Sequence, residues 1–149
     1  MRLHLAVGSL AAAALLVGAD LPPREAKPLS EVLVAVEKAG LSPIVEASFD
    51  DGVWEVEGFR GKTPYEAHFD PKSLALLHEH ADSPRERPAA DSLSAVEVVK
   101  RLESAGYGPV LGIDYEGTDW EAEAMHGGRE RELHVDLRTG EVLTDRADD

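Results

Sequence analysis

Glu55, Glu57, Glu66 and His68 fall within one short stretch of the chain, and Glu121, Glu123, Glu132 and His134 recur in another with the same spacing. Several carboxylates with one imidazole form the donor set of a divalent ion such as Zn²⁺. The same residues are candidates for a partner-binding surface. Either chemistry requires the chain to bring them to one place. Asp70 and Asp136 close the two stretches. Each precedes turn-forming residues and is expected to accept turn amide hydrogens.

The stretches read "WEVEGFRGKTPYEAHFD" from Trp54 to Asp70 and "WEAEAMHGGRERELHVD" from Trp120 to Asp136. Shifting the chain by 66 positions aligns Glu31–Asp82 with Glu97–Asp148 without a gap, and 16 of the 52 pairs are identical. Trp54 and Trp120 fall at equivalent places. Self-similarity at a fixed period is the mark of a tandem duplication.

Each phrase alternates as a β-hairpin does, with two-residue turns expected at Gly61-Lys62 and Gly127-Gly128. Trp54 then faces Phe69 and Val56 faces Ala67, while Trp120 faces Val135 and Ala122 faces Leu133. On the opposite face Glu55 meets His68 and Glu57 meets Glu66, and Glu121 meets His134 and Glu123 meets Glu132. Among these pairs Arg131, facing Ala124, is the exception to the sorting. Directly opposed glutamates repel by a few tenths to ~1 kcal/mol, which a bound cation would relieve. A solvated face, with Glu55 and Glu121 each pairing a histidine, is the plainer reading of the same pattern. Trp54 and Trp120 are expected in the core rather than as stacking platforms.

The elements that carry these phrases are legible on either side. Ser30 is expected to cap a helix whose Val32, Leu33, Val36 and Ala39 form an apolar stripe, and Ser94 with Glu97 resembles a capping box. Gly40 and Gly106 follow as helix stops. Ile44–Phe49 and Val110–Tyr115 read as first strands, and "SLALLHE" and "GEVLTD" as last ones. The expected fold class is α+β: two tandem units, residues 28–82 and 92–149, each one helix packed on a three- to four-stranded antiparallel sheet. Residues 83–91 read as a polar, proline-bearing linker. His78-Glu79-His80 is a second metal-like fragment that lies outside the repeat, since Thr144-Asp145-Arg146 stand at the equivalent places.

The chain has 149 residues, no cysteine, 15 Lys and Arg against 29 Asp and Glu, and a net charge of −14. Residues 1–19, one Arg before an apolar run, have the layout of a signal peptide too short to span a bilayer. Its removal leaves fourteen basic residues against 29 acidic ones, a charge of −15. Such a surface repels phosphate backbones and anionic lipid, so no nucleic acid and no membrane insertion after cleavage is expected. Partners should be cationic: a basic protein surface, a peptide, or metal ions. No nucleophile elbow, metalloprotease helix or phosphate-cradling glycine loop is present, so an enzyme is not expected, nor any cofactor beyond a divalent metal.

With helix, "AG", proline, strand, "WEVE", "YEAHFD" and "WEAEA", "ELHVD", "TGEVL" in order, both halves resemble PepSY domains, named for peptidase propeptides and a germination protein. The first half departs at Ser73-Leu74, where the second has Thr139-Gly140. The resemblance implies an exported, non-catalytic module with a helix against an antiparallel sheet. In propeptides of thermolysin-type proteases the family accompanies inhibition and assisted folding, and it carries no common catalytic residues. Two readings follow. One is an exported binding module for a protein or peptide, with a protease acted on in trans among the partners. The other is a periplasmic metal-binding protein using the Glu/His sheet face.

Overall fold

The structure, a computed structural model, describes residues 21–148, so the signal-peptide reading of residues 1–19 lies outside the described part. Alternation of apolar and polar residues produces the two central hairpins. Strands β2 (Val53–Arg60) and β3 (Thr63–Phe69) pair with Trp54 opposite Phe69, Glu55 opposite His68 and Glu57 opposite Glu66. Strands β6 (Trp120–His126) and β7 (Arg129–Val135) pair with Trp120 opposite Val135, Glu121 opposite His134 and Glu123 opposite Glu132. This is the register that the sequence pattern dictates, because a slip by one residue would turn every apolar side chain to the wrong face.

Each hairpin is flanked by two further strands, β1 (Ile44–Asp50) and β4 (Leu76–Ala81) in the first half, β5 (Val110–Tyr115) and β8 (Val142–Ala147) in the second. The helices are α1 (Leu29–Lys38) and α2 (Ala95–Ser104). Helix α2 starts on the expected capping box: Glu97 N donates to Ser94 Oγ at 3.2 Å and Ser94 N donates to Glu97 Oε2 at 2.8 Å. Helix α1 does not use Ser30 as a cap. Pro28 occupies the cap position, and Ser30 lies buried within the first turn with its amide 3.3 Å from Glu103 Oε1 of α2. Both helices stop at a glycine in the left-handed region, Gly40 at φ 91° and Gly106 at φ 93°, a conformation that costs glycine little.

The expectation of two separate helix-backed sheets is overturned. Strand β1 pairs with β5, so all eight strands form one antiparallel sheet in the order β4-β3-β2-β1-β5-β6-β7-β8. The described chain is mostly β, with two helices on one shared sheet. The physical reason lies in β1 and β5 themselves. Their runs, Ile-Val-Glu-Ala-Ser-Phe and Val-Leu-Gly-Ile-Asp-Tyr, are buried along nearly their whole length, as befits central strands. Left as edges they would expose both apolar side chains and unpaired backbone groups. Their pairing sets Glu46 opposite Asp114, Ala47 opposite Ile113 and Ser48 opposite Gly112.

Helices α1 and α2 pack against each other and against the centre of this sheet, giving one continuous core. Trp54 and Trp120 are 1% and 0% exposed. Each meets an aromatic edge-on, Trp54 with Phe49 at 5.3 Å and Trp120 with Tyr115 at 5.2 Å between ring centres. Trp120 Nε1 donates to Leu93 O at 3.1 Å, whereas Trp54 Nε1 has no partner among the described residues. Arg131 sits in the apolar column because its Nε lies 2.6 Å from Asp145 Oδ1 of β8, and Tyr107 donates to the same carboxylate at 2.8 Å. The departure at Ser73-Leu74 does not abolish the last strand. Leu74 takes φ 61°, close to the 73° of Gly140, and β4 forms as β8 does.

Candidate binding site on the acidic sheet face

The face of the sheet away from the helices carries the polar half of every alternating strand. Its centre is occupied by a residue from the connection between the halves. Arg85 reaches over the sheet, and its Nη1 lies 2.8 Å from Glu46 Oε2 on β1 and in contact with Glu57 on β2. Its Nη2 is 3.2 Å from Asp114 Oδ1 on β5. Arg87 follows, donating to the Gly61 carbonyl at 2.8 Å with its guanidinium 4.9 Å from the Phe59 ring centre. Ala89 N donates to Tyr115 Oη at 3.3 Å. The polar linker is therefore also a strap tied across the face.

One guanidinium faces three carboxylates, and the imbalance shows in their acidities. Burial, with Glu46 alongside, pushes Glu57 up to about 8 against the pull of Arg85. Burial and Glu46 push Asp114 to about 8 as well. Glu46 is raised too, by burial first, with the Arg85 hydrogen bond opposing. Burial works against the charge on Arg85, but Glu57 and Glu46 outweigh it and hold the guanidinium more firmly ionised. Near neutral pH the centre thus keeps protons on part of its acids, and Arg85 answers the rest.

On the β2–β3–β4 side, His68 Nε2 lies 2.8 Å from Glu66 Oε1 and 3.8 Å from Glu55 Oε1. The expected Glu55 partnership is thus the weaker one: Glu55 stands opposite His68 in the ladder, but Glu66 two residues away takes the hydrogen bond. One ligand atom each from Glu55, Glu66 and His68 lie within 4.8 Å of one another. Strand β4 adds His78 directly opposite His68 and His80 directly opposite Glu66. Burial raises Glu55, with His68 lowering it and Glu66 raising it further.

The β6–β7–β8 side is built differently. His134 turns its Nδ1 to Asp119 Oδ2 at 2.8 Å and its Nε2 to Glu132 Oε1 at 3.3 Å, instead of pairing Glu121. Burial opposes the charge on His134, yet the Asp119 and Glu132 hydrogen bonds prevail and leave its pKa above the ordinary value. Arg146 Nη2 also meets Glu132 Oε1 at 2.7 Å. Burial first, then Glu116 and Glu132, raise Glu121.

Glu123, sixty-six places after Glu57, is 4% exposed, and its Oε2 has no hydrogen-bond partner among the described residues. Glu130 Oε1 is likewise buried without one. Atoms of Glu123, Glu130 and Asp148 come within 4.8 Å of one another. Burial, then Asp148 and Glu130, push Glu123 up to about 8. The first half supplies a guanidinium at the corresponding glutamate; the second half supplies more acid.

Sequence reasoning thus placed the outer acids and histidines on one face but did not single out Glu46, Asp114, Arg85, Glu130 and Asp148. The signal for Arg85 was an arginine within a short proline-bearing connection of a strongly acidic chain. Asp70 and Asp136 each accept two turn amides, from Lys72 and Ser73 and from Arg138 and Thr139, at 2.7–2.9 Å. These hydrogen bonds hold both carboxyls below their ordinary range. His126 Nδ1 lies 3.2 Å from the Gly106 carbonyl, against Tyr107. A cleft of about 550 Å³ lies between residues 21–29 and Trp54, Pro109 and Met125. No described helix is long and apolar enough to cross a membrane.

Among curated proteins no match is found. Of solved structures, the chain is similar to a candidate lipoprotein from Clostridium difficile 630, at 16% identity over 89% of this chain and 98% of that one, with a TM-score of 0.47. It is also similar to a BLIP-like protein from Bacteroides fragilis NCTC 9343, at 13% identity over 87% and 89%, with a TM-score of 0.31. A third is a DUF2874 family protein from Bacteroides uniformis ATCC 8492, at 13% identity over 85% and 90%, with a TM-score of 0.30. Residues 80–146, which hold the end of β4, the strap and nearly all of the second half, match the family described as peptidase propeptide and YPEB domain.

Proposed function

We propose that this protein is an exported, non-catalytic binding module that takes a basic segment of a protein or peptide partner on its acidic sheet face. The observation that carries the reading is the contrast between Glu57 and Glu123. Arg85 shows what the first site accepts, a forked cation lying across carboxylates of neighbouring strands. Glu123 offers a buried carboxylate with an unpartnered oxygen, and Glu130 and Asp148 stand beside it. A guanidinium satisfies several such oxygens at once, which a point charge does not. The family match over residues 80–146 makes a secreted protease a sensible partner class. Export rests on the sequence of residues 1–19, and the lack of a common catalytic set rests on the resemblance.

The test is a titration of ¹⁵N-labelled protein at low salt with an arginine-containing decapeptide, and with the same peptide carrying glutamate in place of arginine. The reading requires saturable shifts at Glu123, Glu130 and Asp148 with the basic peptide only. A Glu123→Gln/Glu130→Gln variant should weaken binding about tenfold or more. Equal shifts with both peptides, or none with either, reject it.

A further inference from the structure

Three histidines meet at one place on the outer face of the first half. His68 and His78 are a directly opposed pair of β3 and β4, and His80 stands opposite Glu66 one step along. The four side chains form a block on the same face, with Glu55 of β2 opposite His68. The ring centres of His68 and His78 are 5.7 Å apart, those of His78 and His80 5.5 Å, and those of His68 and His80 6.4 Å. Imidazoles sharing one tetrahedral ion, each with its nitrogen at 2.0–2.1 Å, have centres about 5 Å apart. The three spacings exceed that by roughly half an ångström to one and a half, so side-chain rotation must draw the rings together for all three to hold one ion.

We propose that His68, His78 and His80, with Glu66 as a carboxylate ligand, form a surface site for one imidazole-seeking divalent ion of the Zn²⁺ or Cu²⁺ class. This goes beyond the peptide-binding reading and does not depend on it. The side chains are half-buried at His68 and about half exposed at His80 (25% and 49%), so an ion can enter from solvent while its ligands remain anchored on paired strands. Glu55 and Glu66 supply negative charge beside the rings, which favours a cation over a water cluster. Imidazole nitrogens select Zn²⁺, Cu²⁺ or Ni²⁺ over Mg²⁺ and Ca²⁺. The second half cannot form the same site. Thr144 stands opposite His134 and Arg146 opposite Glu132, and the Arg146 guanidinium lies on Glu132. The site is a property of one half, and β4 creates it.

The experiment is calorimetry of the untagged full chain with ZnCl₂ and with CuSO₄, run beside a His78→Ala/His80→Ala variant and a His134→Ala variant. One ion should bind per chain, with the double variant weakened at least about tenfold and His134→Ala changed less than about twofold. Imidazole NMR signals of the native chain give a readout that needs no substitution: His68, His78 and His80 should shift or broaden together while His134 stays put. No saturable binding below about 1 mM, weaker than biological recognition generally needs, overturns the proposal. So does equal weakening by His134→Ala, or shifts confined to one ring.

Discussion

Ala47 and Ile113 face each other across the β1–β5 seam, and they are equivalent positions of the two halves, sixty-six residues apart. Either side of them, Glu46 faces Asp114 and Ser48 faces Gly112, so the pairing repeats when the halves are exchanged. The local two-fold axis of the sheet passes between these two residues. Everything that joins the halves, the seam, the packing of α1 on α2 and the Arg85 strap, is arranged around that axis.

A shared core implies a shared transition. Each half holds one tryptophan, so Trp54→Phe leaves a reporter in the second half and Trp120→Phe leaves one in the first. In each variant the fluorescence and far-ultraviolet dichroism curves in urea should coincide, as they do for a two-state domain. A fluorescence midpoint separated from the dichroism midpoint would mean that the halves melt independently.

The same two variants should differ in cost. Trp120 Nε1 donates to the Leu93 carbonyl at 3.1 Å, while Trp54 Nε1 has no partner among the described residues. Both lose similar packing, so Trp120→Phe should be the more destabilising by about 1 kcal/mol, the net worth of one hydrogen bond plus part of the stranded acceptor. Urea unfolding measures it, and an equal cost would mean that the indole hydrogen bond contributes nothing.

Arg85→Ala removes the cation from among Glu46, Glu57 and Asp114. With three carboxylates left facing one another, the expected loss at pH 8 is about 2–3 kcal/mol, below that of a fully buried pair because Arg85 keeps some solvent contact. At pH 5 the acids take up protons and the loss should fall to less than half. Unfolding curves at the two pH values decide it. A cost independent of pH would show that the strap matters for its packing and not for its charge.

Stability itself should decline from acid to neutral. Glu57, Asp114 and Glu123 sit at about 8 in the fold, against ordinary values of 4.5, 3.8 and 4.5. Between those limits the folded chain holds protons that the unfolded chain has released. Their contribution is therefore complete below the ordinary values and is lost as pH rises through about 8. His134, raised above 6.5, acts with the same sign. After discounting for partial solvent contact, the expected loss between pH 5 and pH 8 is about 1–3 kcal/mol. Glu57→Gln/Glu123→Gln should flatten the profile. A native profile that rises over this range would contradict the acidities of the centre.

Much of the hairpin architecture was legible because it is local. The alternation from Trp54 to Asp70 and from Trp120 to Asp136, broken at few places such as Arg131, favours one register, and Ser94-Ala-Val-Glu97 announces its helix. The join between the halves was not legible in that way. Nothing near Ile44–Asp50 or Val110–Tyr115 says which strand will lie alongside, since pairing across more than sixty residues is decided by burial of two apolar edges at once. A hint was present in the composition of β1 and β5, which lack the regular charges of the other strands. The role of the linker as a strap was not legible for a related reason: proline and charge describe any polar connection, and only the third dimension places Arg85 over Glu46 and Asp114. Ser30 shows the limit of single-residue rules, because Pro28 offers a preset φ two residues earlier and takes the cap position.

Strands β4 and β8 are the outer rails of an open sheet, six residues each and largely exposed. Bare rails of that kind zip onto a second copy and extend into ribbons. Here each rail carries a carboxylate gripped from further inside the sheet, Glu79 by Arg60 of β2 and Asp145 by Arg131 of β7, so an incoming chain would have to lie against fixed charge. Neutralising Glu79 and Asp145 together would strip that protection and leave a template for fibril growth at both ends of the sheet.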